Sequence, residues 1–233
     1  MPAAILLLAL ILSTVLPQVA AAQKQPVVVE LFTSQGCSSC PPADAFLGEL
    51  AEREDVLPLA LHVDYWDRLG WADTFASEAF TRRQYAYART FGNHSVWTPQ
   101  FVVQGQHFSR GRFREMINER IAEHHAKGPA FEITLNEAGE MLSVTARPTK
   151  NGLPDAKVIV VHYSPLEEVK IKRGENAGRK IAYHNVVRSW RVIGRIKGGG
   201  GAAFEVPMDM KRPVAVLVQA PKTGRVLAAQ VLR

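Results

Sequence analysis

The sequence predicts an α/β domain followed by an antiparallel β-sandwich-like domain. Up to Gly128, near-continuous apolar stretches alternate with stretches of helical periodicity, as in βαβ units around a mixed sheet. After Pro129, short stretches with an apolar residue at every second position are separated by turn residues. The 233 residues are 47% apolar, enough for a core in each part. We therefore expect domains over residues 23–128 and 129–233.

The elements of the first domain follow from the spacing of its apolar residues. A continuous apolar run predicts a strand buried on both faces, whereas apolar residues three or four positions apart predict a helix with one buried face. Gln104-Gly105 marks a hairpin turn. The predicted order is a strand over residues 26–33, a helix over 43–53, a strand over 56–65, a helix from a cap at Asp73 or Ser77 to Phe91, a strand over 101–103 and a helix over 113–128.

The second domain shows the alternation of strands that have one buried face. Phe131, Ile133 and Leu135 alternate with polar residues, and Gly139 lies in the turn that follows. Many short strands of this kind are typical of an antiparallel sandwich. The strands expected after the first lie over residues 142–146, 158–163, 169–171, 181–187, 190–196, 203–206, 214–219 and 226–232.

The N-terminus has features of an export signal. Residues 3–12 are an uninterrupted apolar run, shorter than the roughly 20 residues that span a bilayer. Ala20-Ala21-Ala22 before Gln23 fits the small-residue pattern of a signal-peptidase site. The first four residues contain no Lys or Arg, so a short uncleaved anchor is the alternative. We expect a signal peptide over residues 1–22 and a periplasmic or secreted protein with no stable membrane anchor after cleavage.

Cys37 and Cys40 are the two cysteines of the chain, and they form a C-x-x-C motif between the first strand and the first helix. The N-terminus of a helix carries unpaired N–H groups and a partial positive charge, which favour thiolate over thiol. A separation of three residues lets the sulfurs alternate between dithiol and disulfide. We expect Cys37 to be the more exposed, attacking thiolate and Cys40 to resolve the mixed disulfide.

This motif and its surroundings resemble the thioredoxin-like superfamily. The resemblance continues at Trp97-Thr98-Pro99, which precedes a later strand where the superfamily carries its cis proline. It covers roughly residues 26–127 and implies a thioredoxin-like fold for the first domain. More narrowly, the chain is similar to a bacterial family of secreted thioredoxin-fold proteins of unknown function. That narrower similarity rests on residues 31–44, 62–67 and 174–178.

The resemblance implies roles for three more residues. Pro99 would follow a cis peptide bond and shape the substrate groove, and the backbone of Thr98 would pair with an extended segment of a protein partner. Glu30 lies near the place of the buried carboxylate that relays the resolving cysteine's proton in thioredoxins, but one residue farther from the first cysteine. Because a strand reverses face at each residue, a structural Glu paired with Lys or Arg is the alternative.

Charge and aromatic content point to two further surfaces. Pro129 and the residues after it carry 17 basic and 9 acidic side chains, a net charge of +8, against −2 for the preceding part. This charge favours an acidic partner, such as anionic lipid, polysaccharide or protein, or it forms a solvated strand face. Export argues against a nucleic acid as the partner. Tyr65, Trp66 and Trp71 either wall the substrate groove or form a small core beneath their own loop.

Three functions are compatible with these features. The first is an exported thiol–disulfide oxidoreductase that acts through Cys37 and Cys40 on the thiols or disulfide of a protein partner, with an unidentified electron donor or acceptor. The second is a secreted, non-catalytic binding module in which the disulfide is structural. The third is a copper or zinc carrier that uses the cysteines and a distant histidine. Because the seven histidines show no metal-ligand spacing, we predict no metal site and no cofactor.

Overall fold

The structure, a computed structural model, describes residues 25–109, 113–209 and 211–232. The signal peptide expected over residues 1–22 lies outside these ranges. Within them the chain forms eleven strands and three α-helices, and none of these helices is long and apolar enough to cross a membrane.

The elements of the first half follow the predicted order, with shifted ends. The first helix begins two residues earlier than expected, and the second begins after Ser77, whose Oγ accepts a hydrogen bond from the amide of Ala79. Asp73 is therefore not the cap. The elements are β1 (Val27–Thr33), α1 (Pro41–Ala51), β2 (Val56–His62), α2 (Glu78–Thr90), β3 (Gln100–Val103), β4 (His107–Ser109) and α3 (Phe113–Lys127), with a short 3₁₀ helix at Asp67–Leu69 after β2.

The second half contains strands only. Two of them are much longer than expected and form one hairpin, because pairing continues through residues that the sequence assigned to breaks. Register shifts at Val158/Ile159 and His162/Tyr163 allow this continuation. The strands are β5 (Phe131–Ala138), β6 (Met141–Pro148), β7 (Ala156–Lys170), β8 (Lys180–Ile196), β9 (Ala202–Pro207), β10 (Val214–Gln219) and β11 (Val226–Leu232).

One large mixed sheet joins the two halves. Its strand order is β11-β10-β7-β8-β2-β1-β3-β4, with β1 parallel to β2 and antiparallel to β3. The halves meet where β8 lies parallel to β2, with Ala60 opposite Val186. A separate antiparallel sheet contains β5, β6 and β9. The structure is thus mixed α/β with a second antiparallel sheet. Within residues 129–233 the small sheet packs face to face on β7 and β10, as the sandwich-like prediction expected, but four of the seven strands also extend the first sheet.

Alternation along the strands separates the helices onto opposite faces of the large sheet. Val29 and Leu31 of β1 pack with apolar residues of α1 and α3, whereas Val28 and Phe32 pack on the side of α2. Beyond the junction, alternate residues of β7 and β10 face the small sheet. The large sheet is therefore covered on both sides, which explains why β1 and β2 are buried along their whole length.

We expect Gly105→Ala to lower the free energy of unfolding by about 2–4 kcal/mol. Gly105 has a φ of +63°, and a methyl group there would overlap the backbone carbonyl of Gly224. The left-handed conformation alone costs an L-residue about 1–2 kcal/mol. Equilibrium unfolding in urea measures the change.

The matched control is Gly139→Ala. Gly139 is also left-handed, with a φ of +59°, but a methyl group there would have no neighbour within 4 Å. Its substitution should lower the free energy of unfolding only by the cost of the left-handed backbone conformation, about 1–2 kcal/mol. Equal losses in the two variants would show that the close approach to Gly224 contributes nothing.

Candidate functional site

Cys37 and Cys40 are joined by a disulfide in the turn between β1 and α1, with their Cα atoms 5.4 Å apart. Cys40 is the N-cap of α1, and Pro41 occupies the first helical position. The amide of Asp44 donates to the carbonyl oxygen of Cys40 at 3.0 Å. The helix therefore begins at the second cysteine, and Cys37 lies outside its first turn.

Both cysteines are fully buried, each with 0% of its surface exposed. The expectation that Cys37 is the more accessible of the two is therefore wrong for this conformation. Ser38 and Ser39, between them, are exposed. A segment of the second half of the chain binds the backbone of this turn.

That segment, the cap turn, consists of residues 171–179 between β7 and β8. Asn176, which is 1% exposed, donates from Nδ2 to the carbonyl oxygens of Gln35 at 3.0 Å and Cys37 at 2.9 Å. Glu175 Oε2 accepts a hydrogen bond from the amide of Ser38 at 3.2 Å. The cap turn thus binds the backbone of the C-x-x-C turn on both sides of Gly36.

The Thr98–Pro99 peptide bond is cis and lies beside the C-x-x-C turn. Ser39 Oγ is 3.5 Å from the carbonyl oxygen of Thr98. Trp66 Nε1, from the connection after β2, donates to Thr98 Oγ1 at 2.8 Å. The structure therefore brings Thr98 and Pro99 to the two cysteines, as the resemblance implied, while the roles of these residues stay predictions.

Beneath the disulfide, β1, β2 and α1 enclose a cluster of polar side chains. Thr33 Oγ1 donates to Asp44 Oδ1 at 2.8 Å. His62 Nδ1 lies 2.7 Å from Asp73 Oδ2, which also accepts from the amide of Gln35 at 2.7 Å. These partners come from the ends of two neighbouring strands, since Thr33 is opposite His62 in the β1–β2 register. The cluster fixes the backbone that leads into the C-x-x-C turn.

The two carboxyl groups of this cluster differ in charge. Burial raises the pKa of Asp44 to about 7, an effect that His62 and Thr33 only partly offset. Burial also acts to raise the pKa of Asp73, but His62 together with the backbone amides of Gln35 and Phe75 outweighs it and holds this pKa below its usual range. Asp73 is thus ionised at neutral pH, and His62 Nδ1 carries the proton that it donates to this carboxylate.

Three buried atoms in this region have no hydrogen-bond partner among the residues that the structure describes. They are Asp44 Oδ2, His62 Nε2 and Tyr183 Oη. The ring of Tyr183 lies edge-on to the ring of His62, with centroids 5.0 Å apart. Burial raises the pKa of Tyr183, and the nearby Asp44 and Asp73 raise it further. Each of these three side chains therefore has an atom whose capacity for a hydrogen bond is not satisfied by the surrounding protein.

Glu30 does not belong to this cluster. Its carboxylate accepts hydrogen bonds from Arg83, with Oε1 2.5 Å from Nη2 and Oε2 3.2 Å from Nε. Both residues lie on the α2 side of the sheet, opposite the side that carries α1. The structural alternative is correct, and the proton-relay role expected for Glu30 is wrong, because alternation along β1 directs this side chain away from the cysteines.

The aromatic connection after β2 contacts both parts of the site. Trp66 is bonded to Thr98, and Trp71 Nε1 donates to Gln35 Oε1 at 2.8 Å. Trp71 also packs against the small core around Ile171 and Tyr183. The small-core alternative is therefore correct for Trp71, and a role of this loop as a wall of a substrate groove stays a prediction. In the described residues no group of three or more His, Cys, Asp or Glu side chains is placed to hold a metal ion.

Sequence reasoning did not identify four residues that shape the site: Asp44, His62, Asp73 and Asn176. A signal exists for two of them, because His62 ends an apolar strand and Asp44 interrupts the apolar face of a helix. Asp73 was considered only as a helix cap. Asn176 lies 139 residues from Cys37 along the chain and carries no local signal of its contact.

Residues 28–220 match the profile of a protein family described as "Protein of unknown function (DUF1223)". Among solved structures, the chain resembles a crystal structure of a protein from Agrobacterium tumefaciens, with 32% identity and a TM-score of 0.77. The similarity covers 91% of this chain and 96% of the other. No curated protein matches.

A second solved structure is much less similar. It is an endonuclease/exonuclease/phosphatase from Beutenbergia cavernae, with 10% identity and a TM-score of 0.21, and it covers 44% of this chain and 23% of its own. Similarity at that level carries no information about fold or function.

We expect Asp44→Asn to remove a pH dependence of stability. The pKa of Asp44 rises from 3.8 to about 7 on folding, so the native state holds the proton more tightly than the unfolded chain. The wild-type protein therefore loses stability as pH rises from about 4 through 7, by up to about 4 kcal/mol. The free energy of unfolding of Asp44→Asn, relative to wild type, should increase over this range in urea titrations at pH 4 to 8.

Glu49→Gln is the control on the same helix. Its carboxylate is exposed, and the hydrogen bond from Arg114 holds its pKa below the usual range. The free energy of unfolding of Glu49→Gln, relative to wild type, should therefore decrease as pH rises. A constant difference between Asp44→Asn and wild type from pH 4 to 8 would contradict the raised pKa.

Proposed function

We propose that this chain, which belongs to the DUF1223 family of proteins of unknown function, exchanges disulfides with a protein partner through Cys37 and Cys40. One observation carries the proposal: the cysteine pair at the N-terminus of α1 lies beside the cis Thr98–Pro99 bond. The order of strand, C-x-x-C turn, helix and cis proline supports a thioredoxin-like interpretation of the first half. The apolar N-terminal run supports action in an oxidising compartment outside the cytoplasm.

The exchange has two steps. In the reducing direction, the Cys37 thiolate attacks one sulfur of the partner's disulfide, a Cys37–partner bond forms, and the other partner sulfur leaves as a thiolate. The Cys40 thiolate then attacks Cys37 Sγ, the Cys37–Cys40 bond forms, and the partner's second thiolate is released. Two electrons pass to the partner, and its two thiolates take up from solvent the two protons that the thiols of Cys37 and Cys40 released on ionising. The oxidising direction runs the same steps in reverse.

The fixed groups around the pair suit these steps. Because α1 begins at Cys40, its unpaired amides and partial positive charge act on the second cysteine and stabilise its thiolate. The carbonyl of Thr98 has one weak contact, to Ser39 at 3.5 Å, and is a backbone acceptor for an extended partner segment.

Access to Cys37 requires the cap turn to move. Asn176 occupies the carbonyl oxygens of Gln35 and Cys37, so a partner reaches the sulfur only after these two hydrogen bonds break. Each net hydrogen bond contributes about 0.5–1.5 kcal/mol, which is low enough for a partner segment to replace. Reactivity is therefore governed by the cap turn.

The burial of both cysteines favours a second function, a binding module with a structural disulfide. In that case the bond only fixes the turn between β1 and α1. Equilibrium with glutathione separates the two functions, since a reduction potential below about −300 mV is typical of a structural bridge.

We expect Cys40→Ser to trap a partner as a mixed disulfide at Cys37. The resolving thiol is absent, so the second step fails and the covalent intermediate accumulates. The complex is recovered from the native compartment on non-reducing gels, and a reductant should release the partner.

The paired variant Cys37→Ser is the control and should trap nothing. Trapping by Cys37→Ser alone would reverse the roles of the two cysteines. If neither variant traps a partner and the double variant Cys37→Ser/Cys40→Ser loses only thermal stability, the disulfide is structural.

We expect Asn176→Ala to speed reduction of the Cys37–Cys40 disulfide by a small phosphine about tenfold or more. Loss of two hydrogen bonds lowers the cost of moving the cap turn by about 1–3 kcal/mol. The rate is measured by mass spectrometry after alkylation of the free thiols. Asn136→Ala, at an exposed position on β5, should leave the rate unchanged, and an unchanged rate in Asn176→Ala would exclude the cap turn as the barrier.

A further inference from the structure

A cavity of about 650 Å³ lies between α2 and the turn that joins β10 to β11, which we call the basic cavity. Its lining includes residues along nearly the whole length of α2, from Ala79 to Thr90, together with residues of β7, β8 and the β10–β11 turn. None of its lining residues carries a carboxylate. Five of them are cationic: Arg82, Arg83, Arg89, Lys157 and Lys222.

The spacing of residues on α2 creates this cavity. Arg82, Ala86 and Arg89 follow one another at intervals of four and three residues and share a helix face. Ala86 is small and exposed, so space remains between the two arginines. Lys157 reaches the same space from the large sheet, beside Gln219 in the β7–β10 register.

Two of the five cations are neutralised by partners within the protein. Arg83 pairs with Glu30, and its guanidinium lies over the ring of Trp190 at 4.0 Å. Arg82 pairs with Glu78. The other three, Arg89, Lys157 and Lys222, form no ion pair with any residue that the structure describes. The basic cavity therefore has three uncompensated positive charges.

The walls of the basic cavity are rigid. Gln219 Nε2 donates to the carbonyl oxygen of Gly224 and to the hydroxyl of Tyr87 at 3.2 Å. Gly224 packs so closely on Tyr87 that a methyl group there would lie 2.6 Å from the ring. The turn that carries Lys222 is thus held against α2, and binding a ligand does not need to order it.

We propose that the basic cavity binds a small molecule with at least two negative charges, carried by phosphate or carboxylate groups. Its volume is within the range of small-molecule sites, about 300–1,000 Å³. A concave surface with one sign of charge concentrates counter-ions, and Arg and Lys side chains form strong charge-assisted hydrogen bonds to such groups. This site is separate from Cys37 and Cys40 and does not depend on their proposed function.

Isothermal titration of the full chain at low ionic strength tests the site with three probes: inorganic pyrophosphate, citrate and acetate. We expect saturable one-to-one binding of pyrophosphate, citrate or both, and none of singly charged acetate. Binding of pyrophosphate alone assigns a phosphate ligand, and binding of citrate alone assigns a carboxylate ligand. Absence of saturable binding by both polyanions would overturn the proposal.

Two variants locate the binding. Ala86→Glu places a carboxylate between Arg82 and Arg89 and should weaken binding about tenfold or more, and Arg89→Gln should weaken it about fivefold. Ala122→Glu adds the same charge at an exposed alanine on α3 and should change affinity less than about twofold. Equal losses of affinity in Ala86→Glu and Ala122→Glu would show that the anion is attracted by the net charge of the protein, and would contradict binding in the basic cavity. Circular dichroism confirms that each variant is folded.

Discussion

The arrangement of the site depends on the two hydrogen bonds that the side chain of Asn176 donates to the C-x-x-C turn. Its amide group donates to two buried carbonyl oxygens of the C-x-x-C turn, those of Gln35 and Cys37, the second of which also accepts from the amide of Cys40 at 3.2 Å. Leaving a buried acceptor without a partner costs about 1–3 kcal/mol. The donor belongs to the second half of the chain and the acceptors to the first. A single carboxamide therefore links the long β7–β8 hairpin to the backbone of the C-x-x-C turn, whose two cysteines are both fully buried.

The polar cluster below the disulfide complements this contact from the inside. Asp73 accepts from the amide of Gln35, next to the carbonyl that Asn176 engages, so the turn is held from above and from below. Within the same cluster, burial raises the pKa of Asp44 to about 7, whereas Asp73 is bonded to His62 and to two backbone amides, which hold its pKa below the usual range. The site thus combines a backbone held by hydrogen bonds with two carboxyl groups, those of Asp44 and Asp73, whose pKa values are shifted in opposite directions.

Local pattern was sufficient for the elements of the first half, since each depends on residues close in sequence, whereas Thr98 and Pro99 were placed by the resemblance to the thioredoxin-like superfamily. In the second half local pattern identified the strands but not the pairing of the large sheet, because alternation identifies a strand but not its neighbour. β7 and β8 were each divided at polar residues. The polar stretch of β7 lies toward the end of the hairpin that is partly exposed on both faces, whereas the break in β8 at Arg188 and Ser189 lies opposite the middle of β7. The role expected for Glu30 was wrong because alternation along β1 places its side chain on the opposite face of the sheet. The contact of Asn176 with Cys37 joins residues 139 positions apart, and local sequence patterns do not predict contacts between such distant residues.

The joint between β2 and β8 has a consequence for how this chain can be divided. β2 is fully buried, and β8 covers the edge of the sheet that a fragment ending at Gly128 would leave bare. An uncovered, apolar, flat strand offers its free N–H and C=O groups to other molecules and promotes aggregation. The first half is thus not a transplantable module, and any shorter version of this protein must retain the hairpin.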